Sequence, residues 1–188
     1  SGVGCGIIIN GDIYTGQHGY AGEVSIYNYK EEGLLNCTLA QGCFLKRWEV
    51  DLGIIDDVRS MLAKDKTLAE KFFRLTSRNP NNVDLKSVFI ASRAGDPVAV
   101  LALDRAAKRL GIRIAYIVNL LNPEVVVIGG GLEEAGEEFL NKVTLTVKDW
   151  AFRETTEELK IIYSQLRENA VAIGAGSLVT QRVFAKLL

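Results

Sequence analysis

An α/β fold, a mixed sheet with flanking helices, is predicted by three features of the sequence. A glycine-spaced apolar segment, Ser1-Gly-Val-Gly-Cys-Gly6, runs into Ile7–Asn10 and turns back at Asn10-Gly11. A long helical pattern from Pro97 to Leu121 leads into Val125-Val-Val-Ile128, a short apolar run closed by Gly129-Gly-Gly131. Leu159–Ser164 repeats the strand pattern after an intervening amphipathic helix. The predicted order is β-β-β, several helices, then α-β-α-β-α.

The opening glycines set the first element. Alternate strand residues share a face, so Gly2, Gly4 and Gly6 leave one face without Cβ atoms. Another backbone or a phosphate can then approach closely. Asn-Gly between apolar runs is a strong hairpin signal. No Gly-Lys-Ser/Thr follows, which excludes a Walker loop. On these residues alone, a phosphate clamp and an ordinary glycine-rich turn both stand open. A third strand is expected at Val24–Tyr29, then an irregular stretch over 30–45 that carries Gly33, Asn36, Cys37, Gly42 and Cys43.

From Trp48 to Arg93 the periodicity is helical. Thr67-x-x-Glu70 reads as a capping box ahead of Phe72 and Phe73. Asn79-Pro-Asn-Asn82 breaks the run, and Asp84 restarts it as an N-cap. In Gly95-Asp96-Pro97, glycine ends one helix, aspartate caps the next and proline opens it. Apolar residues then recur three or four apart until Asn122-Pro123 stops the helix. Val125–Ile128, apolar throughout, predicts a strand buried on both faces. Phe139, Leu140, Val143 and Trp150 mark the next helix, and a last helix begins near Glu168. Its Ala170, Gly174 and Ala175 would allow a neighbour to pack closely.

With 188 residues and 48% hydrophobic content, the chain can bury one good core or two small ones. Its 22 basic and 23 acidic residues leave a net charge of −1, so nothing draws it to nucleic acid by charge. No apolar run reaches the roughly 20 residues that span a bilayer. Nor does the N-terminus show the basic and apolar regions of a signal peptide. Three cysteines argue against a disulfide scaffold and fit a reducing, cytoplasmic location. The abrupt start inside a strand pattern suggests a piece of a longer protein.

In order, these motifs resemble the second, ribonuclease-H-like lobe of the actin-like ATPase and sugar-kinase fold, and more narrowly the ROK family of sugar kinases and sugar-responsive repressors. The residues carrying the resemblance are Ser1–Gly11, Gly16-x-x-Gly19-x-Ala21-Gly-Glu23, Gly95-Asp96-Pro97, Asn119–Glu124 with Val126–Leu132, and Ala172-Ile-Gly-Ala175. The resemblance implies one C-terminal lobe over residues 1–188, with a helical insertion at about 46–94. The N-terminal lobe and any DNA-binding domain would lie outside this chain. It implies nucleotide contacts at Gly2, Val3 and Gly4, in a phosphate-binding hairpin, and at Gly129, Gly130 and Gly131, a turn against adenosine. Sugar contacts are implied at Glu23, Gly22 and His18. A carboxylate suits this task because it accepts hydrogen bonds from two hydroxyls at once. The catalytic aspartate, the general base, is expected upstream of Ser1, so no catalytic residue is assigned here. Mg-ATP is implied only for the intact parent.

The chain departs from the family pattern just after Glu23. Ser25 stands at the family's glycine and Ile26 at its histidine, the first zinc ligand. Anchored on Gly42-Cys43, the remaining cysteine positions hold Asn36 and Thr38, while Cys37 is one residue out of register. Ile26, Asn36, Thr38 and Cys43 are therefore a degenerate set, short of the four ligands a structural zinc site needs, and no metal is expected. Leu45 also replaces an acidic residue that meets the sugar in the family.

Three functions follow from the resemblance. The first is the sugar-sensing lobe of a ROK-type transcriptional regulator, homodimeric, binding DNA only through an upstream helix-turn-helix. The second is a lobe of an ATP-dependent kinase for glucose or N-acetylglucosamine. The third is a dimerisation scaffold that binds neither ligand. Phosphoryl transfer needs substrates and phosphates held between two lobes, so this chain alone is not expected to catalyse it.

Overall fold

The computed structural model describes residues 3–24, 53–76, 79 and 82–184. Two compact units divide the chain, Ser1–Arg113 and Ile114–Leu188. The class is mixed α/β, with two small sheets among many helices.

In the first unit, β1 (Ile8–Ile9) and β2 (Asp12–Ile13) pair antiparallel, with Ile8 opposite Ile13 and Ile9 opposite Asp12. Asn10 and Gly11 form the two-residue connection, with φ of 54° and 87°. Positive φ at both positions is what a type I′ turn requires, and it matches the twist of the flanking strands. The strands are shorter than the sequence pattern suggested. Val24 lies in irregular chain, and the rest of the expected third strand falls outside the described residues.

Three helices follow: α1 (Ile54–Leu62), α2 (Lys66–Thr76) and α3 (Leu85–Arg93). They pack on one another around Val58, Phe72 and Val88, all fully buried. Phe72 and Phe73 meet edge to face at 5.6 Å. The cap of α2 differs from the expected one: Asp65 Oδ1 accepts the backbone N–H groups of Thr67 and Leu68. Thr67 therefore lies inside the helix. At α3 the Asp84 cap forms as expected, and Ser87 completes a reciprocal capping box.

Helix α4 (Pro97–Leu121) begins at Asp96, whose Oδ1 accepts N–H bonds from Val98 and Ala99, each 3.0 Å long. Within the first unit α4 buries Val98, Ala99, Ala102, Ala106 and Ala107, a narrow small-residue stripe. Asn122, at φ 45°, ends the helix.

In the second unit, β3 (Val125–Ile128) and β4 (Lys160–Tyr163) pair parallel, Val125 opposite Lys160 through Ile128 opposite Tyr163. Parallel strands need a crossover. Here it is a 3-10 turn (Leu132–Ala135), α5 (Glu137–Trp150) and α6 (Arg153–Thr156). Helix α5 buries Phe139, Val143 and Val147, whereas Trp150 is exposed. The two-faced burial expected of β3 is not found. Val125 and Val127 are 42% and 56% exposed, because among the described residues β3 pairs only with β4. Helix α7 (Ala170–Phe184) is exposed along its length, and nothing lies within 4 Å of a Cβ built on Gly174.

Candidate functional site

The glycine hairpin and the loop that carries Glu23 meet in the first unit. The Cys5 N–H donates to the Gly22 carbonyl at 3.0 Å, and the Tyr14 N–H closes the hairpin onto Ile7 O at 2.8 Å. Gly22 has φ 92°, and a Cβ built there would overlap the Cys5 carbonyl oxygen. Only glycine satisfies both the conformation and the contact. This contact backs the strand of the expected phosphate hairpin directly onto the expected sugar loop.

Gly4 and Gly6 have nothing within 4 Å of their Cβ positions, so the hairpin's bare face is open for a ligand to approach its backbone. Val3 is half-buried. Gly2 lies outside the described residues. Burial pushes the Cys5 thiol above its ordinary pKa, which keeps it protonated and a poor nucleophile.

The loop itself is tied by local backbone bonds. The Ala21 N–H donates to Thr15 O at 3.0 Å, and the Glu23 N–H to Tyr20 O at 3.3 Å. His18 and Glu23 are both exposed. The loop therefore presents Glu23 one residue after the glycine that fixes its backbone. Ser25, Ile26, Asn36, Thr38, Cys43 and Leu45 all lie outside the described residues. Among the described residues, no group of three or more His, Cys, Asp or Glu could hold a metal ion.

The glycine turn after β3 belongs to the second unit. Gly130 and Gly131 take φ of 77° and 90°. The Gly131 N–H donates to Glu133 Oε2 at 2.7 Å, while Glu133 Oε1 is buried with no hydrogen-bond partner. A Cβ on Gly129 would lie 3.5 Å from Ser164 Cβ and 3.6 Å from Glu133 Oε1. Beside the turn, the Tyr163 hydroxyl donates to Gly136 O at 2.8 Å. Burial, with the charges of Glu137 and Glu133, pushes its pKa from 10.0 up to about 12. Sequence reasoning missed Glu133. Its only local signal is an acidic residue two positions after the last glycine.

Comparison with known proteins places these features in one family. The ROK family model matches residues 1–182. A glucokinase of Halalkalibacterium halodurans is 32% identical over 97% of the chain and 54% of its own length. A xylose repressor of Caldicellulosiruptor bescii is 27% identical over 95% of the chain and 43% of its own length. A solved ROK family glucokinase from Streptomyces griseus, in complex with glucose and AMPPNP, superposes with a TM-score of 0.76 at 26% identity, over 95% of this chain and 57% of that one. The chain thus spans about half the length of the relatives it matches. Kinases and repressors flank it alike, and on the evidence of motif order, fold and family match, the chain belongs to the ROK family.

Proposed function

We propose that this chain is the sugar-sensing C-terminal lobe of a ROK-type transcriptional regulator. The observation that carries the reading is a divided motif. The Gly22 contact on Cys5 and the exposed Glu23 keep the loop's backbone and its carboxylate. The positions that follow have lost their histidine and two of their thiols to Ile26, Asn36 and Thr38. Those side chains are not zinc ligands, so the donor set does not fit that metal. A sensor needs a sugar-binding loop but not the positioning that turnover demands.

In this reading Glu23 accepts hydroxyl hydrogen bonds from a small sugar, with His18 and the Gly22 backbone beside it. Sugar binding shifts a homodimer between DNA-binding and released states, and a domain elsewhere in the full-length protein contacts the DNA. The xylose repressor likeness supports this.

A kinase is the second reading, favoured by the glucokinase structure with glucose and AMPPNP. The open hairpin at Gly4 and Gly6 leaves backbone accessible to Mg-ATP, which would be the phosphoryl donor. The full-length protein, given Mg-ATP and a panel of hexoses and N-acetylhexosamines, separates the two. A sugar that raises the melting temperature without releasing ADP supports the regulator. Steady sugar-dependent ADP release overturns it in favour of the kinase.

A further inference from the structure

The Glu133 carboxylate has an unusual posture for a residue of a short 3-10 turn. Oε2 takes the Gly131 N–H in a short, charge-assisted bond of 2.7 Å. The other oxygen folds back over the turn, 3.6 Å from where a Cβ of Gly129 would stand. There it is buried and has no hydrogen-bond partner. A buried, unpartnered carboxylate oxygen is costly, so this is not the resting place the group would choose for capping alone. The Tyr163 hydroxyl, the nearby donor, is already engaged by Gly136 O. Glu134, Glu137 and Glu138 follow close behind, Glu138 paired with Lys142 at 3.2 Å.

We infer that Glu133 is a built-in occupant of the Gly129–Gly131 turn, which a nucleoside must displace before it can pack against the glycines. The inference rests on the nucleotide reading of that turn. The glycines leave the space and Glu133 fills it from the same loop. The residue as a whole is half-buried, which gives its side chain a way out to solvent. Displacement returns an unpartnered oxygen to water and frees the Gly131 N–H for the ligand. Nucleotide affinity is thereby set by a side chain that need not touch the ligand.

The test is calorimetric titration of AMPPNP into the full-length protein and its Glu133→Ala and Glu133→Gln variants. Loss of the competing bond is expected to tighten binding about five- to tenfold in Glu133→Ala. Glu133→Gln keeps the shape without the charge and is expected to gain about two- to threefold. It serves as the readout should the alanine variant fold poorly. Weaker binding in both variants makes Glu133 a direct acceptor for the ligand and overturns the inference, as does unchanged affinity, which leaves Glu133 a cap. No measurable binding in the native protein or in either variant overturns the nucleotide reading itself.

Discussion

Arg109 donates a 2.8 Å hydrogen bond from Nη2 to Asp57 Oδ2, joining helix α4 to helix α1 across 52 residues of sequence. The Asp57 side chain is 3% exposed and that of Arg109 13%. Both lie in the first unit, where this ion pair fastens the three-helix group to the long helix. Asp57 lies on the same inward face of α1 as Ile54, Val58 and Leu62, so the charge pair adds a fixed direction to the apolar packing there.

Breaking that pair should be expensive. Asp57→Ala leaves a largely buried guanidinium without its carboxylate and is expected to cost about 3 kcal/mol. The double variant Asp57→Leu with Arg109→Leu should recover much of that loss, because neither charge then has to be desolvated. Urea unfolding of the single and double variants measures both. Equal losses in the two would show that packing, not charge, holds α1 on α4.

The cap on α4 is a second, local anchor. Asp96 is fully buried, and its Oδ1 satisfies two of the helix's first N–H groups. Asp96→Ala is expected to cost about 1–2 kcal/mol. Asp96→Asn keeps the accepting oxygen and should be milder. Thermal melts of the two variants would rank them.

What the sequence revealed and concealed divides by range. Asn10-Gly11, Asp84 and Asp96 were legible because the chemistry that forms them lies within three residues. The α2 cap was misassigned by two residues, since Asp65 and Thr67 both suit a cap and only geometry separates them. The exposure of Val125 and Val127 was not legible at all. Burial depends on what lies beside a strand, whereas an apolar run states only what the strand itself can tolerate. At the candidate site Gly22 could be named, but its backing on the Cys5 carbonyl joins two segments and could not. Glu133 was invisible for a further reason: one carboxylate among four near neighbours carries no pattern.

Tyr163 gives a prediction in pH. Its pKa rises from 10.0 to about 12 on folding, so the folded state holds this proton more tightly than the unfolded state. The resulting stability is fully present below pH 10.0 and is lost as pH climbs toward about 12. Tyrosinate absorbance should show a late-titrating group that is lost in Tyr163→Phe. That variant also loses the bond to Gly136 O. It should be less stable at neutral pH yet show a flatter decline in alkali.

Two glycines of the loop that carries Glu23 separate backbone strain from crowding. Gly19 and Gly22 have φ of 82° and 92°, so alanine at either incurs about 1–2 kcal/mol for the left-handed conformation. Nothing lies within 4 Å of a Cβ at Gly19, while at Gly22 the Cys5 carbonyl oxygen is in the way. Gly22→Ala should therefore destabilise more than Gly19→Ala and should also disrupt the Cys5 N–H to Gly22 O bond. Hydrogen exchange at the Cys5 amide reads that bond directly. Equal protection in both variants would mean that the bond survives the added Cβ and that the Cys5 carbonyl does not crowd it out.

Glu23 tests the sugar site. Its side chain is exposed and projects from a loop fixed by backbone bonds, so Glu23→Ala should leave the melting temperature of the unliganded protein close to native. Sugar affinity should fall about tenfold or more, because hydroxyls that met the carboxylate lose an acceptor on binding. Glu23→Gln, with one accepting oxygen, should fall between. Calorimetry against the sugar that most raises the melting temperature of the full-length protein decides it. Native affinity in Glu23→Ala would move the sugar site away from this loop, and the loss of the neighbouring histidine and thiol positions would then no longer bear on what the protein senses.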